Sequence, residues 1–332
     1  VVYTIAGSLL MLASIIIYGL QQGNFSMELG KGSQSMWLFL GFAAAFAIKA
    51  PLFPLHGWLP QAYRESPPEV AALLSGVVSK TAAYGLIRIG VFHFGLPMSD
   101  IATAALALGA VGLIYGSIVA FRQPDLRGVV SYSSLAQMGL ITMGIFALDL
   151  GGLNGAVLQM VNHGFVSAAM FLTVGIIERR TGTADVATLG GMARGRPVMA
   201  TVVLVTGMIA LAVPGSATFA GEFLILTGVF SSGWAWTVVG AAAIVLAAMY
   251  ALRFISAVLH ERKGEAVADS VKDLRVRELS FLLPLVGCLI ALSVWPSAVS
   301  RWPVVFGKVT EACPPLTSVY DLGAQTCTEN TK

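Results

Sequence analysis

The chain has 332 residues, of which 56% are hydrophobic and only 11% charged, with a net charge of +3 and a mean hydropathy of +0.80. A soluble domain carries about 25% charged residues, so this composition excludes a soluble fold and indicates a polytopic membrane protein. Hydride and electron chemistry find no support either: there is no glycine-rich nucleotide loop and no haem-type pair, and Cys288, Cys313 and Cys327 are too widely spaced for a metal or redox motif.

Apolar runs of about 20 residues cross a bilayer as helices. Nine are predicted: 1–21, 36–63 (broken), 69–94, 98–121, 126–148, 152–178, 197–231 (broken), 235–259 and 279–300. The expected fold class is therefore all-α, a polytopic membrane helical bundle. The segments between the runs are short and polar, and none is long enough to bound a second domain. No signal-peptide pattern opens the chain, and Val1 already lies in an apolar helix, so an N-terminal part is expected to be missing.

The first broken run, MWLFLGFAAAFAIKAPLFPLHGWLP, meets Lys49 and then Pro51 and Pro54. Proline removes a backbone donor and clashes with the preceding turn, so the helix must break beside the lysine. Met36 to Lys49 is about 20 Å at 1.5 Å per residue, too deep for easy snorkelling on that side. A charge at a helix break in hydrocarbon points to an ion pathway. His56 and Trp58 follow within the break.

Lys80 lies eleven residues after Glu69, near the middle of the third run. Its bland alternative is a structural bond to a backbone carbonyl. The fifth run carries Ser131, Tyr132, Ser133, Ser134 and Gln137, hydroxyls of a kind that often only bond the preceding turn. His163 sits in the sixth beside Gln159 and Asn162, where an isolated histidine is more often a satisfied core donor. The seventh run is broken by Pro214 and Gly215 and then carries Glu222. It lies five runs after the first broken one and so crosses in the opposite sense. Two interrupted helices in opposed halves are the sequence pointer to an inverted-repeat transporter. Of 20 basic and 17 acidic residues, only Lys49, Lys80 and Glu222 lie deep within runs. Buried amines and carboxyls change protonation readily, and histidine titrates near neutrality, so the set suits proton handling.

Loop charge sets orientation. One side receives Arg64, Arg122, Arg127, Arg179, Arg180, Arg194, Arg196, Arg262, Lys263, Lys272, Arg275 and Arg277. The other has Lys31, Arg88, Arg301, Lys308 and Lys332. The basic side is expected to be cytoplasmic and the tail after Trp302 to lie outside, with Arg253 snorkelling to the cytoplasmic end of its helix. In that tail Cys313 and Cys327 are either free or paired, while Cys288 is expected to pack in the last span.

FAIKAPLFPLHGWLP, LLSGVVSKTAAYGLIRI, DLRGVVSYSSLAQMGL, LQMVNHGFVSAAMFL and PGSATFAGEFLIL together resemble the antiporter-like membrane subunits of NADH-quinone oxidoreductase, respiratory complex I. The glutamate in its GEF setting resembles the M type (mitochondrial subunit-4 type); the L type has lysine there. The resemblance covers residues 1–300. It implies that Lys49 is the lysine of the first half-channel, Lys80 the connecting lysine, His163 the central-axis histidine and Glu222 the terminal acid. His56, Tyr132, Ser133 and Gln137 would support the relay. The family has fourteen spans, and these nine resemble the last nine. Residues 1–94 would be the last three helices of a first inverted repeat, 98–259 the second repeat, 279–300 the final helix and 301–332 an outer tail. The family's fifth span carries a glutamate that pairs with the broken-helix lysine; here that helix is absent. Gln137 stands where many relatives carry histidine, so that step would pass through water or Tyr132.

The resemblance implies a proton-translocating subunit of NADH:quinone oxidoreductase, without cofactor, NADH site or metal of its own. It would be driven by redox chemistry elsewhere and sit in a bacterial plasma membrane. Its partners would be neighbouring antiporter-like subunits and the complex's long lateral helix, with no nucleic acid. The alternatives are a subunit of a multisubunit monovalent cation/proton antiporter, a membrane-bound hydrogenase subunit, or a truncated scaffold that does not pump.

Overall fold

The apolar runs fold as helices across the computed structural model, which describes residues 2–25, 35–91, 93–260, 262–269 and 271–300. In chain order these are α1 (Val2–Gln22), α2 (Met36–Lys49), α3 (Leu59–Glu65), α4 (Pro68–Val91) and α5 (Gly95–Arg122). Then come α6 (Leu126–Phe146), α7 (Leu150–Thr181), α8 (Pro197–Ala210), α9 (Ala217–Ser232), α10 (Trp234–Leu259), α11 (Val276–Val294) and the short α12 (Ser297–Ser300). Seven of them, α1, α4, α5, α6, α7, α10 and α11, are long and apolar enough to cross a membrane. The two broken runs appear as the interrupted pairs α2–α3 and α8–α9. Among the described residues there is no strand, only an isolated bridge between Asp125 and Asp185.

α6 and α7 form the centre. α6 is buried along nearly its whole length, whereas α1 and α11 present most of their apolar surface outward, as helices facing lipid do. Close approach at the centre depends on glycine. A Cβ added to Gly164 of α7 would lie 2.8 Å from the Gly76 carbonyl oxygen of α4, so the two backbones touch where side chains would hold them apart.

The basic loops meet at one end of the bundle. Asp125 caps α6 by accepting from Gly128 N at 2.6 Å and pairs with Arg64 of α3 at 2.8 Å. Arg127 binds Glu178 of α7 at 2.6 Å and donates to the carbonyls of Arg64 and Ser66 at 2.9 and 2.6 Å. Arg179 pairs with Glu69, and Arg180 with Glu278. The helix ends that the alternation assigns to one side are thus tied together directly.

Arg253 stacks over the Phe121 ring, 5.5 Å from its centroid. Cys288 departs from expectation: it is exposed on α11 rather than packed, because that helix lies at the periphery. Cys313, Cys327, the rest of 301–332 and Lys31 lie outside the described residues.

Candidate functional site: a buried polar line across the bundle

Each break solves a backbone problem. After Lys49 the helical ladder stops at Pro51, and the indole of Trp58 turns back to donate to the Ile48 carbonyl at 2.9 Å, satisfying an acceptor the broken ladder leaves open. At the second break Gly215 takes φ +92°, a conformation open to glycine, and Ser216 restarts the helix by accepting from Phe219 N. The first N–H of α9, that of Ala217, is taken by Ser293 Oγ of α11 at 2.9 Å, and its carbonyl by Asn162 of α7 at 2.7 Å.

α4 is continuous, yet Leu74–Val78 and Leu86–Val91 wind as π-helix. A π turn widens the helix and leaves a carbonyl free for other donors, an arrangement frequent at functional sites. Here the Ser75 carbonyl accepts from Ser79 Oγ at 2.9 Å and from Lys80 Nζ at 2.5 Å, and Nζ also reaches Ser79 Oγ at 3.1 Å. Lys80 is buried, and its bonds run to neutral oxygens.

From Ser75 the line leaves α4. Its hydroxyl meets Ser134 Oγ of α6 at 3.0 Å, and Ser134 Oγ meets His163 Nε2 of α7 at 3.1 Å. His163 faces a cavity of about 10 Å³ bounded also by Ser133, Gln137, Thr218 and Tyr250. That volume is on the order of one water, and the lining is polar enough to hold it. Across the cavity Gln137 Nε2 donates to Glu222 Oε1 at 2.9 Å, and Gln159 Nε2 donates to Gln137 Oε1 at 2.8 Å. Lys80, His163 and Glu222 therefore lie on one row of hydroxyl, imidazole and amide groups spread over α4, α6, α7 and α9.

Other expected positions fall elsewhere. Lys49, half-buried at the end of α2, makes no hydrogen bond or ion pair among the described residues. An apolar cavity of about 140 Å³ lined by Leu52, Phe53, Leu55, Leu86, Ile101 and Phe146 adjoins the break that follows it. His56 stacks on Phe53 and lies 5.1 Å from Tyr115, which meets Tyr132 at 6.4 Å, so His56 and Tyr132 share an aromatic cluster rather than the polar row. The His56 Nδ1 atom is buried without a partner among the described residues. Ser133 bonds the Val130 carbonyl of its own helix at 2.8 Å and only borders the small cavity.

Ser75 and Tyr63 are not among the expected site residues, and Ser134 and Gln159 take on a role only in the folded chain. The fully buried Tyr63 places its hydroxyl against Ser75, Ser79 and Ser134 without completing a hydrogen bond among the described residues. The available signal was Ser75 and Ser79 preceding Lys80 at helical spacing. Among the described residues no three His, Cys, Asp or Glu side chains gather as a metal site.

A membrane-type helical bundle with two interrupted helices and a buried row of titratable groups has the architecture of secondary transporters. The family model described as NADH:quinone oxidoreductase/Mrp antiporter, TM, matches residues 1–249, and the chain belongs to that family. It is 35% identical over 320 residues to NADH-quinone oxidoreductase subunit M of Rhodobacter capsulatus, covering 90% of this chain and 62% of the relative. A chain of respiratory complex I from Thermus thermophilus with bound NADH superposes with a TM-score of 0.87 at 30% identity, covering 98% of this chain and 68% of the other. The Mrp complex from Dietzia sp. shares the fold, with a TM-score of 0.82 at 19% identity over 98% of this chain and 67% of that one. The chain thus spans about three-fifths of the length of the Rhodobacter relative.

Proposed function

We propose that this chain is the proton-conducting part of an M-type membrane subunit of NADH:quinone oxidoreductase. Protons pass between Lys80, His163 and Glu222, and redox chemistry in other subunits supplies the drive. The observation that carries this reading is the hydrogen-bonded row from Lys80 through Ser75 and Ser134 to His163, continued across a one-water cavity to Gln137 and Glu222. Buried ionisable groups in a membrane bundle are costly to keep, and proton transfer gives them a use. Lys49 and His56, at the first break, serve the approach to this row from the other half. Residues 1–94 complete a first repeat and 98–259 form the second.

The interlocked arginine end faces the cytoplasm of a bacterial plasma membrane, in keeping with the positive-inside rule. Neighbouring antiporter-like subunits and the long lateral helix of the complex are the expected partners. Within the assembled complex the subunit belongs to a translocase and binds neither NADH nor quinone.

In membranes carrying the assembled complex, Lys80→Ala or Glu222→Ala should lower proton pumping per NADH oxidised far more than it lowers assembly. Wild-type pumping in both variants would leave a scaffold role instead. Pumping that depends on added sodium or potassium, and not on NADH, would point to the cation/proton antiporter alternative.

A further inference from the structure

The two glutamines beside Glu222 form a directed hydrogen-bond chain. Gln159 Nε2 donates to Gln137 Oε1, and Gln137 Nε2 donates to Glu222 Oε1. All three side chains are buried. Gly221 brings α9 directly onto Gln159: a Cβ there would lie 3.2 Å from both the Gln159 Cβ and its backbone N. In this register both amides turn their N–H groups toward the acid, which suits a carboxylate, an acceptor with nothing to donate. At the far end Gln159 Oε1 is buried with no donor among the described residues.

A protonated Glu222 keeps one acceptor oxygen but gains an O–H, and that O–H needs an acceptor of its own. Gln137 can supply one only by turning its amide over, which presents Oε1 to the acid and its NH₂ to Gln159. Gln159 must then turn as well, and its orphaned Oε1 accepts from Gln137 Nε2. An amide turned alone would set oxygen against oxygen or N–H against N–H, and unpaired buried polar groups are expensive, so the pair moves together.

We propose that Gln159 is a positioning residue for the terminal acid: through Gln137 it holds the amide register that fits an ionised Glu222, and both amides invert when Glu222 takes up a proton. This rests on the reading of Glu222 as a proton-exchanging group. Of the elements packed against α9, α6 presents Gln137, α7 presents Gln159 and, across the small cavity, His163, and α10 presents the buried Tyr250. Among the described residues Glu222 makes no ion pair.

The test is infrared difference spectroscopy of the membrane-embedded full protein, with glutamine side-chain carbonyls carrying carbon-13, titrated over pH. The carboxylic C=O band of Glu222 is identified by its loss in Glu222→Gln. The expected result is that labelled amide bands change in step with that band. In Gln159→Met, which keeps length without a strong donor or acceptor, the coupled amide change is lost and the Glu222 midpoint is displaced. Amide bands that stay still while Glu222 protonates, or a Glu222 that shows no protonated form, would overturn the proposal. If Gln159→Met does not assemble, the unaltered protein decides the matter alone. Coupled bands in a complex whose pumping survives Glu222→Ala would refute the translocation reading and leave this inference standing.

Discussion

Two hydrogen bonds meet at the Ser134 hydroxyl, one shared with Ser75 Oγ at 3.0 Å and one with His163 Nε2 at 3.1 Å. A hydroxyl in that position can accept on one side while donating on the other, so it is placed to pass a proton between groups that do not touch. Ser134→Ala removes that step and leaves His163 Nε2 facing a methyl group. Pumping per NADH is expected to fall on the order of tenfold, in the direction that loss of a positioned proton-transfer group gives. Stability should fall by only about 1 kcal/mol, the usual worth of one hydrogen bond. Ser134→Thr should restore most of the pumping, and a Ser134→Ala protein that pumps normally would remove the hydroxyl from the path. The titratable members of the row were legible because Lys80, His163 and Glu222 are rare interruptions of apolar runs. The hydroxyls were not, because most serines and threonines in such helices bond their own preceding turn, as Ser131, Ser133, Thr142 and Thr173 do here. Ser133 and Ser134 are adjacent in sequence and about 100° apart around the helix at 3.6 residues per turn, and nothing local tells which of them faces α7.

The elements bring this row together through close backbone contact between α4 and α7. Gly76 and Gly164 face each other there, four residues before Lys80 and one after His163. Gly164→Ala would place a Cβ 2.8 Å from the Gly76 carbonyl oxygen, a contact relieved only by moving one helix. The cost of such overpacking is about 1–3 kcal/mol, and the same displacement should lengthen the Ser75–Ser134 and Ser134–His163 bonds. Thermal unfolding of the purified complex and NADH-driven pumping should both decline. Gly287→Ala on α11, where an added Cβ meets nothing within 4 Å among the described residues, should leave both intact and serves as the control for helix propensity. Equal effects at the two sites would mean that the contact does not position the row. The interrupted helices were readable from Pro51, Pro54, Pro214 and Gly215, since proline and glycine act on their own backbone. The π turns of α4 carry no proline, and their Ser75 carbonyl is satisfied by the side chains of Ser79 and Lys80, a cause visible only once the helix is folded.

Across the whole molecule, the arginine-rich end ties both interrupted helices to the central pair. Arg127 binds Glu178 and two carbonyls behind α3, while Asp273, from the segment before α11, caps α8 from 75 residues away. Asp273 accepts from Val198 N and Met199 N at 2.9 Å each and from Leu274 N at 2.7 Å. Burial pushes its carboxyl up, but those backbone donors and the Arg180 charge outweigh it, so its pKa sits below the ordinary carboxylate value. The unfolded chain therefore binds a proton at Asp273 at a higher pH than the folded chain does. The stabilisation is fully present above the unfolded value, about pH 4, and is lost as pH falls through the lower folded value. Replacing Asp273 with asparagine leaves one amide oxygen where two carboxylate oxygens now accept, which should cost about 1 kcal/mol at neutral pH, the usual worth of one hydrogen bond, and should flatten the acid side of the stability curve. Unfolding midpoints of both proteins measured from pH 7 down to about pH 3 should differ most at neutrality and converge on acidification, because protonated aspartic acid is as uncharged as asparagine. A gap that stays constant across this range would mean that Asp273 contributes packing rather than charge, and that the α8 cap is not what couples the second interrupted helix to its neighbours.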